Sequence, residues 1–319
     1  MLASRQRLSA RNDMLTGIEP RALAGGYFAL TAYTIWGLAP IYFRAVGEVP
    51  PFEIIAHRVV WSVVLLLAVL AVTRQMGSLN VGRRQLVILF GTAILLSINW
   101  LVFVTAVTQG QVIATSLGYF INPLVSVFLG LIFLKETLRP VQWLALVIAF
   151  SGVSIQVIDL GELPIISLTL AFSFGFYGLI RKQVNLPAVA GLTLETLLVL
   201  PIALGYLLYL SQTGALSFGQ SDVSLDVLLI AGGAITSVPL MCFAAAVIRL
   251  PLVIAGLFQY LAPTLSLLLA IFVFGEPFSV IQLVSFSCVW VALALFTAES
   301  LYQFKRAQAR LHSAAEAKP

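Results

Sequence analysis

Charged residues, cysteine and histidine are scarce in this sequence. Only 10% of its 319 residues are charged and 60% are hydrophobic, whereas an average soluble domain is about 25% charged. The two histidines, His57 and His312, exclude a histidine-rich metal centre, and Cys242 and Cys288 form neither a disulfide framework nor a metal-binding spacing. Each cysteine lies in an apolar run, where it is expected to pack as a small apolar residue. We therefore expect no metal site and no cofactor.

Several catalytic motifs are also missing. The sequence contains no Gly-x-x-x-x-Gly-Lys-Ser/Thr motif, which excludes ATP hydrolysis by this chain. It has no His-x-x-Glu-His, no Gly-x-Ser-x-Gly and no intramembrane Asp pair, so an enzyme that modifies lipids or isoprenoids is a minor alternative. The net charge of +5 comes from basic residues spread over short loops and tails. This distribution indicates membrane topology and no nucleic-acid partner.

The abundant feature is long apolar runs, which predict that the lipid bilayer is the solvent of this chain. A spanning helix needs about 20 mostly apolar residues. The sequence has ten such runs, at residues 23–43, 54–73, 86–107, 112–134, 141–158, 163–180, 190–210, 226–248, 252–274 and 281–299. The first run has no short hydrophobic core with a clear cleavage site before it, so we interpret it as an uncleaved span.

The basic residues test this count of spans. With the N-terminus in the cytoplasm, sixteen of the eighteen Lys and Arg residues fall in segments on the cytoplasmic side. The other two, Arg44 and Arg58, flank the first outside loop. The positive-inside rule predicts this asymmetry, and an odd number of spans would destroy it. We expect a multi-pass protein of the bacterial inner membrane with both termini in the cytoplasm.

The sequence also repeats itself. Residues 93–153 match the residues 140 positions later without gaps, and near the start of each half the offset is 138. The matched positions include Ser97 with Ser237, Phe103 with Phe243, Pro123 with Pro263, Glu136 with Glu276, and Gly37 with Gly175. Because each half has five spans, the second half must cross the membrane in the opposite sense. Inverted repeats of this kind are typical of transporters, which use the two halves to form inward-open and outward-open states.

Several stretches resemble the RarD family of chloramphenicol-sensitive proteins, in the EamA branch of the drug/metabolite transporter superfamily. They are AYTIWGLAPIYFR (32–44), EIIAHRVVWS (53–62), SINWLVFVTAV (97–107), SLGYFINPLVSVFLGLIFLKE (116–136), LETLLVLP (194–201) and GLFQYLAPTLSLLLAIFVFGEPFS (256–279). The resemblance implies a ten-helix permease and a role in efflux of drugs or metabolites. It implies much less about the substrate.

Three ionisable residues lie inside predicted spans, where charge is costly and is usually matched by a cavity or a partner. His57 and Arg58 lie near the outer start of span two. Arg58 is suited to binding an anionic group such as a carboxylate, but both side chains can also extend to the headgroup region. Glu195 in span seven falls on His57 under the 138-residue offset. It is a candidate proton carrier or counter-charge for substrate. The alternatives are a structural pair with a cationic neighbour and a position near the cytoplasmic interface.

Polar residues also follow one face of two repeat-related spans. They are Ser116, Tyr119, Asn122, Pro123 and Ser126 in span four, and Gln259, Tyr260, Pro263 and Ser266 in span nine. We expect these faces to line a cavity and Pro123 and Pro263 to break their helices, with ordinary interhelical hydrogen bonding as the alternative. Trp36 and Asn99 are candidate substrate contacts, although Trp36 would also suit simple packing. Lys135, Glu136 and Glu276 are expected to cap loops or gates.

Together these features predict an all-α integral membrane protein of ten transmembrane helices in two inverted five-helix repeats. The expected units are a cytoplasmic basic tail (1–22), a first repeat (23–158), a second repeat (159–300) and a cytoplasmic tail (301–319). The predicted function is secondary export of a small-molecule solute across the lipid bilayer, with proton exchange as the candidate coupling. A receptor or scaffold remains a further alternative, but it would not need an inverted repeat.

Overall fold

The computed structural model describes the backbone of residues 2–108, 112–161, 163–184, 186–220, 223–275 and 279–316. These residues form eleven α-helices and a short 3₁₀ helix at Met76–Leu79, without any strand among them. The α-helices are α1 (Leu2–Ala45), α2 (Pro51–Val72), α3 (Arg83–Thr108), α4 (Val112–Phe133), α5 (Pro140–Leu160), α6 (Ile165–Val184), α7 (Ala188–Thr213), α8 (Val223–Val247), α9 (Leu252–Phe258), α10 (Leu261–Phe272) and α11 (Val280–Glu316).

The helices cross the membrane ten times, as the apolar runs predict. In the described part of the chain, nine helical segments are long and apolar enough to span, and Leu117–Phe133 in α4 is a shorter apolar helix. The segment Leu252–Leu269 counts as one of the nine, because α9 and α10 follow one another in a single crossing. The helices α1 and α11 extend beyond their spans into the predicted tails. Large apolar side chains such as Phe150, Ile158 and Ile202 are exposed and face lipid.

Local signals explain where several helices begin and end. Pro51 and Pro140 stand in the first turn of α2 and α5, where the missing N–H of proline has no helical partner to lose. Gly161 and Gly214 end α5 and α7 with φ values of 72° and 69°, a left-handed conformation that suits glycine. Short connectors between these signals make consecutive helices antiparallel.

Helix packing follows the inverted repeat. Helices α1, α2, α3, α4 and α5 of the first repeat correspond to α6, α7, α8, α9–α10 and α11 of the second. Each contact between helices therefore has an equivalent contact: α4–α6 corresponds to α10–α1, and α1–α8 corresponds to α6–α3, and all four are present. The α2–α7 and α5–α11 contacts are each their own equivalent.

The close approaches obey the same exchange. A Cβ at Gly37 would lie 2.6 Å from Leu265 Cβ, and a Cβ at Gly175 would lie 2.8 Å from Val125 Cγ1. These are the same contact, since Gly37 matches Gly175 and Val125 matches Leu265 at the offsets found in the sequence.

One of the two expected helix breaks is present. The chain turns at Gln259 and Tyr260, between α9 and α10, and Ala262 N–H donates to the Gln259 carbonyl oxygen at 3.3 Å. Pro263 lacks the N–H that would have bonded this carbonyl. By contrast, α4 continues through Pro123, so the break expected there is wrong. Because α4 is packed between α6 and α9, tertiary contacts hold the helix together where proline removes one bond.

A candidate substrate cavity between the two repeats

A central cavity of about 470 Å³ lies between the two repeats. We call the end of the bundle at which α1 ends the outer end, following the expected orientation, and the opposite end the inner end. The cavity occupies the outer half, because its walls come from the second half of α1, the first half of α4 and the whole of α10, which is the outer part of its crossing. Its main lining residues are Tyr33, Trp36, Phe43, Arg58, Asn99, Trp100, Phe103, Tyr119, Asn122, Phe174, Thr236, Leu240, Gln259, Pro263, Ser266 and Phe274.

The floor of the cavity is formed by equivalent residues from both repeats. Four pairs of equivalent positions both line it: Trp36 with Phe174, Trp100 with Leu240, Tyr119 with Gln259, and Asn122 with Ala262. Equivalent residues of an inverted repeat meet only near the membrane midplane. The cavity therefore reaches from the outer end to about the middle of the bilayer.

Arg58 supplies the positive charge of the cavity. Its Nε–H donates to Thr236 Oγ1 at 2.6 Å, and its Cζ lies 5.4 Å from the Phe43 ring centre and 5.6 Å from that of Trp100. No other Lys, Arg or His and no Asp or Glu lines the cavity in the ranges that the structure describes. Within those ranges Arg58 also makes no ion pair within 4.0 Å.

Amide side chains provide polar groups near the floor. Asn99 Nδ2 donates to the Leu170 carbonyl oxygen and to Ser173 Oγ, both at 3.0 Å. Gln259 Nε2 donates to Ser126 Oγ at 2.8 Å. Asn122 Oδ1 and Gln259 Oε1 are buried and accept no hydrogen bond from the described residues. Neither oxygen is accessible from the cavity, so the floor presents no free acceptor at these two positions.

Aromatic packing closes the inner end. Phe243 is 1% exposed and Tyr177 is fully buried, and their rings stack with centres 6.0 Å apart. Phe243 also contacts Phe174 at 4.8 Å and Trp36 at 6.0 Å between ring centres. This layer separates the cavity floor from the inner end.

A buried polar cluster lies on the inner side of that layer and includes Glu195. Thr92 Oγ1 donates to Glu195 Oε1 at 2.6 Å, and the Tyr177 hydroxyl donates to Oε2 at 3.2 Å. Arg181 Nη1 lies 3.9 Å from Oε1, and both side chains are 1% exposed. Glu195 therefore lies outside the cavity in this structure, as part of a closed ion-pair cluster.

The inner connectors are tied to this end by further charges. Glu136 accepts hydrogen bonds from the Leu252 and Val253 N–H groups at 2.7 and 2.8 Å, which caps α9. Lys182 Nζ lies 3.9 Å from Glu136 and donates to the Val247 and Leu250 carbonyl oxygens. These contacts fix the turn between α8 and α9.

His57 and Tyr260 also lie outside the cavity. His57 is buried with Nε2 3.8 Å from Glu53 Oε1 and its ring centre 4.9 Å from that of Phe218. Glu53 in turn accepts hydrogen bonds from Ser217 N–H at 2.7 Å and Phe218 N–H at 3.3 Å, so this pair anchors the connector after α7. Tyr260 is fully buried at the helix break.

Most of the other candidate residues line the cavity, and two fall outside the part of the chain that the structure describes. Trp36, Arg58, Asn99, Tyr119, Asn122, Gln259 and Pro263 line the cavity, and Pro123 does not. Glu276 lies outside the described residues, as does the side chain of Ser116.

Sequence reasoning missed Arg181, Thr92 and Thr236. Arg181 resembled an ordinary cytoplasmic charge at a helix end, although Tyr177 precedes it by four residues and so shares its helix face. Thr92 and Thr236 reach their partners across 103 and 178 positions of sequence, for which the sequence gives no local signal.

Comparison with known proteins agrees with this architecture. The profile of the EamA-like transporter family matches residues 23–158. Protein RarD of Escherichia coli K12 is 44% identical over 285 residues, which covers 88% of this chain and 96% of RarD. The chain belongs to the RarD family. The uncharacterized transporter YojE of Bacillus subtilis 168 is 43% identical to this RarD-family chain over 295 residues, covering 89% of the chain and 96% of YojE.

A solved crystal structure shares the fold at low sequence identity. It matches with a TM-score of 0.67 and 17% identity, covering 86% of this chain and 97% of its own. The family match and the relatives RarD and YojE, and not this structure, show that the RarD-family chain is a multi-pass membrane transporter of the drug/metabolite superfamily and not an enzyme.

Proposed function

We propose that this transporter exports a small metabolite or drug-like solute by alternating access, and that the central cavity is its outward-facing substrate site. The observation that carries the proposal is the unequal environment of equivalent positions in the two repeats. Phe103, Ala39 and Phe43 line the cavity. Their counterparts Phe243, Tyr177 and Arg181 are buried in the closed inner half. Exchange of conformation between the repeats would close the first set and open the second.

The direction of transport is inferred from charge. The segments at the inner end carry most of the basic residues, so this end is assigned to the cytoplasm of a bacterial inner-membrane protein, with both termini there. The cavity then opens to the outside, where an exporter releases its substrate. The units proposed for this cycle are the two repeats, 23–158 and 159–300.

Proton coupling is proposed at Glu195. In the closed state this carboxylate is held by Thr92, Tyr177 and Arg181. Opening of the inner end separates the residues around Arg181 and brings water to Glu195. A carboxylate that pairs with arginine in one state and binds a proton from the inner solution in the other makes the equilibrium between the two states depend on the pH at the inner end.

The test is transport by purified protein in proteoliposomes. Counterflow is measured with amino acids and chloramphenicol-like compounds, first without and then with an imposed pH gradient. We expect Glu195→Gln to retain counterflow but lose its dependence on the pH of the solution at the inner end, whereas Glu48→Gln in the exposed α1–α2 connector behaves as the wild type. An unchanged dependence on that pH in Glu195→Gln would exclude Glu195 as the proton-binding group. Absence of saturable counterflow for every solute would contradict the transport proposal for this cavity.

A further inference from the structure

We propose that the cavity selects a compact aromatic monoanion. This inference rests on the proposed function, because it names the substrate class of the same site. Two features carry it: one fixed cation and an aromatic wall. Each constrains a different part of the ligand.

The charge of the ligand follows from Arg58. Its Nε–H is engaged by Thr236, which fixes the guanidinium while leaving its terminal nitrogens for a ligand. A guanidinium presents parallel N–H donors that match the two oxygens of a carboxylate. Since no carboxylate of the described lining is present to balance it, an anion is favoured. A cationic solute, or the ammonium group of a zwitterion, finds no counter-charge there.

The body of the ligand follows from the walls. Trp36, Trp100, Phe103 and Phe174 line the cavity. Aromatic rings favour stacked or edge-on contact with another planar ring. The volume of about 470 Å³ lies within the roughly 300–1,000 Å³ of small-molecule sites. These walls suit a single planar ring or a fused pair.

The probes are 4-hydroxybenzoate, 4-hydroxyphenylacetate and 4-aminobenzoate, each with its neutral primary amide. Binding to the full chain in nanodiscs is measured by titration calorimetry and by tryptophan fluorescence. At least one acid is expected to bind saturably and at least tenfold more tightly than its amide. Tyrosine and chloramphenicol, as a zwitterion and a neutral solute, are expected to bind more weakly than that acid.

The matched variants are Arg58→Gln and Arg44→Gln. Arg44 lies at the same end, where its Cζ is 4.5 Å from the Phe274 ring centre, but it does not line the cavity. We expect Arg58→Gln to weaken the acid at least tenfold and the amide less than twofold. Arg44→Gln should change both less than twofold, and Arg58→Lys should restore part of the affinity for the acid.

The inference would be overturned if none of the three acids binds, or if each acid and its amide bind with equal affinity. It would also be overturned if Arg58→Gln and Arg44→Gln have equal effects on binding. Counterflow separates this failure from failure of the proposed function. Transport of tyrosine or chloramphenicol without any acid overturns the substrate class and leaves transport intact. Arg58-dependent binding of an acid that is never translocated supports the site and contradicts its role in transport.

Discussion

Replacing Gly191 by alanine is expected to open the inner cluster, because Arg181 packs directly on this glycine. A Cβ at Gly191 would lie 1.9 Å from Arg181 Nη1 and 2.6 Å from Cζ. Arginine side chains usually yield to such crowding by moving into water. Arg181 is 1% exposed, so its guanidinium must instead leave its position 3.9 Å from Glu195 Oε1.

Two known energies bound the destabilisation caused by Gly191→Ala. Overpacking a well-packed interior costs about 1–3 kcal/mol, and separating one partner from a buried ion pair costs about 3–5 kcal/mol. We expect the cost of Gly191→Ala to lie between these values, so that the closed inner end is destabilised by about 2–4 kcal/mol. Gly205 in the same helix is the matched control, since nothing lies within 4 Å of a Cβ built there. Alanine in a helix is favoured over glycine by about 0.5–1 kcal/mol, so Gly205→Ala should be neutral or slightly stabilising.

The assay is thermal unfolding of both variants and the wild type in the same nanodiscs. At about 2–4 °C per kcal/mol for a chain of moderate size, the midpoint for Gly191→Ala should drop by roughly 5 °C or more. Adding Arg181→Met should reduce the difference between glycine and alanine at position 191, because the flexible methionine can withdraw without breaking an ion pair. Equal midpoints for Gly191→Ala and Gly205→Ala would refute the packing argument.

Two further predictions concern the partly buried Glu136 and the buried Glu53, which hold connectors in place. Glu136→Gln should lower the unfolding midpoint relative to the exposed Glu48→Gln, because it removes the charge that accepts the Leu252 and Val253 N–H groups at 2.7 and 2.8 Å. Hydrogen bonds to a charged group contribute about 1.5–3 kcal/mol. Equal midpoints for the two variants would show that Glu136 does not cap α9. Glu53→Ala should speed deuterium exchange at the Ser217 and Phe218 amides about tenfold or more, because it removes hydrogen bonds to a charged group that contribute about 1.5–3 kcal/mol. The Tyr209 amide in α7 is the internal reference. Unchanged exchange at Ser217 and Phe218 would show that Glu53 does not anchor the connector.

The fold could be predicted from sequence because membrane proteins obey simple rules. Apolar runs and the distribution of Lys and Arg gave ten crossings, and the offsets of 138 and 140 gave the inverted repeat. The break at Pro263 was within reach of the same reasoning, because proline removes a defined hydrogen bond. The continuity of α4 through Pro123 was not, because it depends on packing against α6 and α9.

The candidate site was less accessible to sequence reasoning. Arg58 and the amides were found because polar side chains are conspicuous in apolar spans. His57 and Glu195 were equally conspicuous, but sequence cannot tell a cavity from a buried pair. Glu195 is satisfied by Thr92 and Arg181 and His57 lies beside Glu53, and these partners depend on how the helices are arranged. The sequence left open that Glu195 pairs with a cationic neighbour, and this is the arrangement found in the closed state.

The central claim is that equivalent positions of the two repeats open and close in opposition. It is tested most directly in a chain with Cys242→Ser and Cys288→Ser, by labelling single Phe103→Cys and Phe243→Cys variants with a membrane-impermeant maleimide from each side. We predict that position 103 reacts from the outer side and position 243 only from the inner side. Adding Gly191→Ala should lower labelling at 103 while raising it at 243. Reaction of both positions from one side, or labelling that rises and falls together, would contradict the account.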